Sequence, residues 1–433
     1  MTGDETRVGN YFVSNYPPFS VWSPEAIGTV DEQLEAAPAA DVPLGLYIHL
    51  PFCRKRCDFC YFKVYTDKSS ADIRTYLDAL ARELSMFATR PYLAGRRSSF
   101  VYFGGGTPSY LSATQLRELF GGLREILSWD AAEEITFECE PGTLQRPKIE
   151  ALAELGVTRL SLGIENFDPQ ILELNNRAHR AEEILRAYGL IRSVGFEQVN
   201  VDLIAGMVGE TEENWGRCIE QTIELLPESV TIYQMEVPYN TTLYQRMQDG
   251  GERAAPVADW TTKRAWTSDA FARLAAYGYR VSSAYTACRD DQARFLYRDA
   301  LWSGADMLGI GVSAFSHLAG VHFQNEHGIE AYQSRIEVGD LPILRAHRMS
   351  VDERLVREFI LQMKLGRVEV GRFERKFGVD VRERFADALA RQAGEGLVEL
   401  EGGEVRTTRA GLMQIDRLLV DFFREEHRTA RFA

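Results

Sequence analysis

Residues 44–60 read LGLYIHLPFCRKRCDFC. The stretch opens as an apolar run of strand length, and Cys53, Cys57 and Cys60 follow it in a CxxxCxxC spacing. Three thiolates on one short loop can hold three irons of a [4Fe–4S] cube, which leaves the fourth iron open to a small chelator. Arg54, Lys55 and Arg56 put positive charge beside the thiols, an arrangement expected to favour thiolate formation. A zinc site would need a fourth Cys or His close by. His49 is near in sequence, but the strand and Pro51 are expected to turn it away from the loop.

Outward from this stretch, apolar runs of strand length recur at 100–103, 135–139, 159–164, 199–204 and 230–235. Helix-length segments lie between most of them. In 72–88, Ile73, Tyr76, Leu77, Leu80, Leu84 and Phe87 share one face. In 112–127, Ser112 can cap a helix whose one side carries Leu116, Leu119, Phe120, Leu123 and Ile126. Such alternation predicts an α/β fold with a parallel sheet, doubly wound or barrel-like. Residues 1–42 carry several prolines and scattered aromatics (Tyr11, Phe12, Tyr16, Phe19, Trp22) without a clean period, and read as an irregular arm that packs over something. From about 345 the alternation stops. Helices are expected over 349–366 and 380–396, then a hairpin over 396–408 turning at Gly402-Gly403, then a helix to about 425. The expected domains are therefore 1–42, 43–345 and 346–433, the last a small helical, winged domain.

The chain has 433 residues, 49 Lys plus Arg against 63 Asp plus Glu, and a formal net charge of −14. That balance disfavours a general nucleic-acid or anionic-membrane partner, and Glu399, Glu401 and Glu404 on the wing would repel phosphate. No apolar run is long enough to span a membrane, and the first 30 residues lack the basic start and apolar block of a signal peptide. Six cysteines are too few for a disulfide scaffold. Cys139, Cys218 and Cys288 fall in strand, helix and loop patterns and read as buried structural thiols.

A second constellation, FGGGTP, occupies 103–108. Glycines let backbone N–H groups approach an anionic or polar ligand closely. Glu138, Glu140, Glu165 and Asp202 recur near the ends of later strands, the phase at which β/α barrels gather ligand-binding groups. Singly each is an ordinary solvated or capping carboxylate; together they suit ribose hydroxyls and ammonium groups. Arg177 could pair with a ligand carboxylate.

The cysteine loop resembles that of the radical S-adenosylmethionine (SAM) superfamily, and the glycine run resembles its motif for the SAM amino group. Read in order, LYIHLPFCRKRCDFCYF, FGGGTPSYL, EITFECEPGT, RLSLGIENF, VDLIAGMVGET and DMLGIGVSAFSH resemble the HemN-like (oxygen-independent coproporphyrinogen III oxidase-like) family over about 43–345. The resemblance implies a partial (β/α)6 TIM-like barrel, a [4Fe–4S] cluster on Cys53, Cys57 and Cys60, and two SAM molecules. Tyr47, Gly105, Glu138, Met235 and Phe315 match positions that contact the first SAM. Phe59, Gly106, Thr107, Arg177 and Asp202 match those around the second. Glu165 stands where the family has a Gln, which replaces a group that can donate with one that only accepts.

Three branches are open within that family. The oxidase branch carries an Asn-Phe-Gln-Gly-Tyr-type stretch where this chain has Tyr297-Arg298-Asp299-Ala300-Leu301-Trp302. The haem-chaperone branch carries a His-Asn-x-x-Tyr-Trp stretch that is absent. CYFKVYTDK and IYQMEVPYNT resemble the class C methyltransferases and cyclopropane-forming enzymes of natural-product pathways. That resemblance implies transfer of a SAM-derived methylene or methyl to an sp² carbon of a small-molecule substrate. Tyr47, Glu236 and His317 are then candidates for the proton transfer that resolves the adduct. Trp22, Tyr61, Trp302 and Phe323 could stack on an aromatic substrate. The alternatives are oxidative decarboxylation of a propionate-bearing tetrapyrrole, haem chaperoning, and nucleic-acid modification. An oxygen-labile cluster and the absence of an export signal imply a reducing cytoplasm, with flavodoxin or ferredoxin as the electron donor.

Overall fold

The computed structural model describes residues 14–39, 41–249 and 257–428. Six strands run parallel side by side: β1 (Leu44–Leu50), β2 (Ser98–Gly105), β3 (Glu134–Cys139), β4 (Arg159–Glu165), β5 (Gln198–Ala205) and β6 (Ser229–Gln234). Each of the expected runs falls on one of these strands. Helices Ser70–Ala88 and Ala113–Ile126 follow β1 and β2. Both begin with a capping box, Ser69 with Asp72 and Ser112 with Gln115, which satisfies N–H groups at the first turn. Their apolar faces meet the sheet; the Phe103 and Phe120 rings stack at 4.3 Å.

The sheet does not end with these six strands. β9 (Asp306–Ile310) lies parallel to β1 on its free side, and β10 (Phe315–Leu318), β11 (Val321–Asn325) and β12 (Ile343–Arg348) continue it antiparallel. At the other edge β7 (Arg280–Val281) and β8 (Thr286–Cys288) pair antiparallel beyond β6. The strand order is β12-β11-β10-β9-β1-β2-β3-β4-β5-β6-β8-β7. β1, which launches the cysteine loop, is therefore an interior strand buried against partners on both sides. One fully buried acid ties this region together. Glu83, on Ser70–Ala88, accepts from Tyr332 Oη (2.5 Å), Asn325 Nδ2 (2.6 Å) and the Gly311 N–H (2.8 Å).

Four expectations need correction. The arm is not wholly irregular: Gly28–Leu34 is a helix that buries Val30 and Leu34, too short for its period to stand out. Cys288 lies in strand β8 rather than a loop. The segment 380–396 divides into Val381–Arg384 and Ala386–Gly394, joined at Phe385. The final helix is broken into Arg409–Leu412, Ile415–Leu419 and short 3-10 turns. The break follows from packing: a Cβ on Gly411 would sit 2.2 Å from the Leu397 carbonyl, so this helix is pressed onto the hairpin, and the non-helical Gln414 redirects the chain. The hairpin β14 (Val398–Glu401) and β15 (Glu404–Thr407) turns at Gly402-Gly403, both with positive φ, and gains a third strand, β13 (Arg367–Glu369).

The arm packs as expected. Phe19 stacks on Phe315 at 5.0 Å, and the buried Tyr16 ring lies 4.9 Å from Phe423 of the C-terminal domain. Tyr11 and Phe12 lie outside the described residues. Among the described residues no helix is long and apolar enough to cross a membrane.

Candidate active site

One cavity of about 510 Å³ opens beside the six parallel strands, within the range of small-molecule sites. The candidate cluster, SAM and proton-transfer residues all line it: Tyr47, Cys53, Cys57, Phe59, Cys60, Gly105, Gly106, Thr107, Glu138, Glu165, Arg177, Asp202, Met235, Glu236, Phe315 and His317. Most come from β1 to β6 and the connections after them, gathered by the alternation of strand and helix, while Phe315 and His317 come from the antiparallel β10.

The glycine run follows from space. Gly105 has φ +114, and a Cβ there would lie 2.7 Å from the His49 ring. A Cβ on Gly106 would lie 2.8 Å from the Pro51 carbonyl carbon, because the Gly106 N–H bonds the Leu50 carbonyl at 2.8 Å. The two motifs are thus in backbone contact. Thr107 Oγ1 donates to Cys53 Sγ at 3.3 Å. His49 is buried on β1 with Nδ1 3.1 Å from Tyr47 Oη, and burial drops its pKa to about 4, so it is neutral.

The expectation that the basic triplet activates the thiols holds only for the Arg56 charge on Cys60, and burial outweighs it. Arg54 turns to Glu140 (3.0 Å) and to the Ala178 carbonyl, and Arg56 to the carbonyls of Cys60 and Asn240. Burial pushes the Cys53 thiol up to about 11 and Cys60 up to about 12. The cation that faces a thiol is Arg177, with Nη1 3.2 Å from Cys57 Sγ and Nη2 on the Gly163 carbonyl at 2.8 Å. Arg177 also faces Glu165 at 3.5 Å. Glu165 holds φ +66, a left-handed position unusual for a side chain, at a register shift in β4.

The other carboxylates line the same space. Glu138 accepts from Tyr102 Oη (2.6 Å) and the Gly105 N–H (3.2 Å). Burial raises it and Glu165 to about 7. Asp202 accepts from Ser161 Oγ and Asn200 Nδ2 and is raised as well, again by burial first. Buried carboxylates with raised pKa that line one cavity suit a cationic or hydroxyl-bearing ligand.

Of the aromatics expected to stack on substrate, Tyr61 and Trp302 line the cavity; Trp22 stacks on His322 and Phe323 on Phe87, in the core. A contribution from the C-terminal domain was not among the expectations. Arg357, on helix Val351–Met363, and Asp416 both line the cavity. Asp416 accepts from Tyr285 Oη (2.8 Å) and faces the buried Lys364 at 3.6 Å.

An iron–sulfur cube fits the donor set. Three cysteines crowd one loop and line the cavity, Cys53 and Cys57 buried and Cys60 partly so. Among the described residues no three His, Cys, Asp or Glu side chains converge on a single ion. A cube does not need such convergence, since each thiolate binds its own iron.

Comparisons with known proteins agree with this geometry. Residues 47–222 match the radical SAM superfamily, and residues 349–413 match the HemN C-terminal domain. The chain is a radical SAM enzyme, with a [4Fe–4S] cluster and SAM as its cofactors. It is 29% identical to the oxygen-independent coproporphyrinogen III oxidase of Pseudomonas aeruginosa over 94% of this chain and 92% of that one. It is 27% identical to the haem chaperone HemW of Bacillus subtilis, over 84% and 95%. The solved coproporphyrinogen III oxidase (HemN) of Escherichia coli superposes with TM-score 0.80 at 24% identity, over 96% of this chain and 99% of that chain, a likeness of fold. The combination of both domains makes this chain a radical SAM enzyme of the HemN type. These relatives give the methyltransferase and cyclopropanase branch no support.

Proposed function

We propose that this enzyme carries out oxidative decarboxylation of a propionate-bearing tetrapyrrole of the coproporphyrinogen kind. The supporting observation is similarity to coproporphyrinogen III oxidases along nearly the whole chain, through both domains. When bound, the cluster and SAM supply a one-electron reductant and a hydrogen-abstracting group. The chain's own residues orient them. Cys53, Cys57 and Cys60 hold the cluster. The Gly105–Gly106 backbone and Glu138 hold SAM, and Thr107, Glu165, Arg177 and Asp202 form the adjoining polar wall where a second SAM is accommodated. Tyr102, Tyr47 and Phe315 exclude water from the reacting end. The reductant is a small one-electron carrier of the flavodoxin or ferredoxin kind.

A second reading, methylene or methyl transfer to an sp² carbon, is favoured by one observation. Leu301 and Trp302 line the cavity from helix Leu296–Trp302, where the oxidase-like stretch would present an amide. In that reading Tyr47, Glu236 and His317 are the candidate proton carriers.

The deciding experiment uses anaerobically reconstituted enzyme, a reductant and methyl-deuterated SAM, and weighs the 5′-deoxyadenosine formed. Unlabelled product, with deuterium arriving only from a coproporphyrinogen deuterated on its propionate arms, supports decarboxylation. Deuterium from the SAM methyl overturns it in favour of methyl transfer. Absence of SAM cleavage with an intact cluster would leave the chaperone role.

A further inference from the structure

We propose that Arg357 and His317 form an anion subsite for a carboxylate of the substrate, at the end of the cavity remote from the cysteine loop. The identity of the large probe used below rests on the decarboxylation reading. The subsite itself rests on geometry.

Arg357 projects from the C-terminal domain, is 2% exposed and lines the cavity. Its Nε donates to the Ser14 carbonyl at 3.3 Å, and its Nη1 is buried without a partner. Among the described residues it makes no ion pair; its neighbour Glu358 is taken by Lys376 at 2.6 Å. His317 on β10 lines the same cavity at 7% exposure, and its Nδ1 is likewise buried without a partner. Burial and the Arg357 charge keep His317 neutral, so it can offer a ring N–H.

A buried guanidinium with an unused N–H and no ion pair among the described residues is costly, and an arriving anion removes that cost. The other cavity-lining cation of this region, Arg298, is already occupied by Asp299 (2.7 Å) and Ser283 (3.0 Å). Asp416, the carboxylate that the C-terminal domain brings to the cavity, is engaged by Tyr285 and Lys364. One planar cation beside one neutral donor matches a singly charged, planar carboxylate better than a phosphate.

The subsite's position follows from register. His317 pairs with Met307, and Met307 with Gly45. Gly45 lies five residues before Leu50, the end of β1, so the level of His317 is about 16 Å from that end at about 3.3 Å per residue. A substrate anchored there by one carboxylate spans the cavity toward the cysteine loop. The C-terminal domain thereby selects for acidic substrates, while the barrel supplies the chemistry.

Two probes test this on the reconstituted holoenzyme. Propionate should raise the unfolding temperature of the wild type, and propionamide, its uncharged isostere, should not. Arg357→Met should abolish the difference, and Arg357→Lys should retain part of it. Equal responses to propionate and propionamide in the wild type, or an undiminished preference in Arg357→Met, would overturn the subsite. The wild-type comparison decides even if the Met variant does not fold. Coproporphyrin III, titrated by fluorescence against its tetramethyl ester, then tests the substrate. Arg357→Met is expected to weaken the acid about 10- to 100-fold and leave the ester unchanged. If the wild type discriminates propionate but does not bind coproporphyrin III, the tetrapyrrole reading fails and the subsite stands.

Discussion

Glu83→Gln offers a test with a sign that can be worked out in advance. Glu83 is fully buried, and burial raises its pKa from 4.5 to about 7 despite three donated hydrogen bonds. In the unfolded chain it titrates near 4.5, so unfolding releases a proton between the two values. The protonated acid is the form the fold prefers. Its contribution is fully present below about pH 4.5 and is lost as pH rises through about 7. The shift of about 2.5 units corresponds to about 3 kcal/mol overall, of which about 2.5 kcal/mol is lost between pH 5 and pH 8. Glutamine cannot titrate. Its amide nitrogen meets groups that all donate, so one hydrogen bond is lost at every pH, at about 1–3 kcal/mol. Urea unfolding of wild type and Glu83→Gln should therefore show the variant weaker at pH 5 and the gap narrowing by about 2.5 kcal/mol at pH 8. Parallel stability curves across that range would refute the assignment of the titration to Glu83.

Other outcomes follow from the site. Replacing Cys53, Cys57 or Cys60 singly with Ser should abolish the cluster's visible absorbance after reconstitution, whereas Cys218→Ala should retain it, because Cys218 is buried on the helix Glu212–Leu225 away from the cavity. Gly106→Ala should weaken SAM binding at least about tenfold, measured by equilibrium dialysis, since the added methyl must displace the Pro51 backbone rather than a movable side chain. Glu138→Gln should weaken SAM binding about 10- to 100-fold, while far-UV circular dichroism stays unchanged.

The barrel was legible because its signals are local. A strand that is buried on both faces reads as an unbroken apolar run, and a capped helix announces its start at Ser69 or Ser112. The cysteine spacing and the glycine run each lie within a few residues, so the reacting end of the cavity could be assembled motif by motif. The far end could not. Arg357 sits in a helix whose neighbours Val356, Phe359 and Ile360 are core, and nothing in that pattern distinguishes a buried cation facing a cavity from one on the surface. Asp416 reaches the site only because the last helix breaks at Gln414. The basic triplet misled for a related reason: sequence adjacency placed Arg54 near the thiols, but tertiary carboxylates Glu140 and Glu183 claim it. The short edge strands β7 and β8 and the parallel β9 depend on pairings across distant segments, which no local pattern reports.

Tyr16 bonds His427, 411 positions away, at 2.9 Å, while its carbonyl meets His322 at 3.0 Å. A ribosome adding about 5–20 residues per second makes the first of these partners tens of seconds before the last. Through that interval the segment that stacks Phe19 against Phe315 has no complete seat. The segment around Tyr16 is thus fastened only after the C-terminal domain has been made.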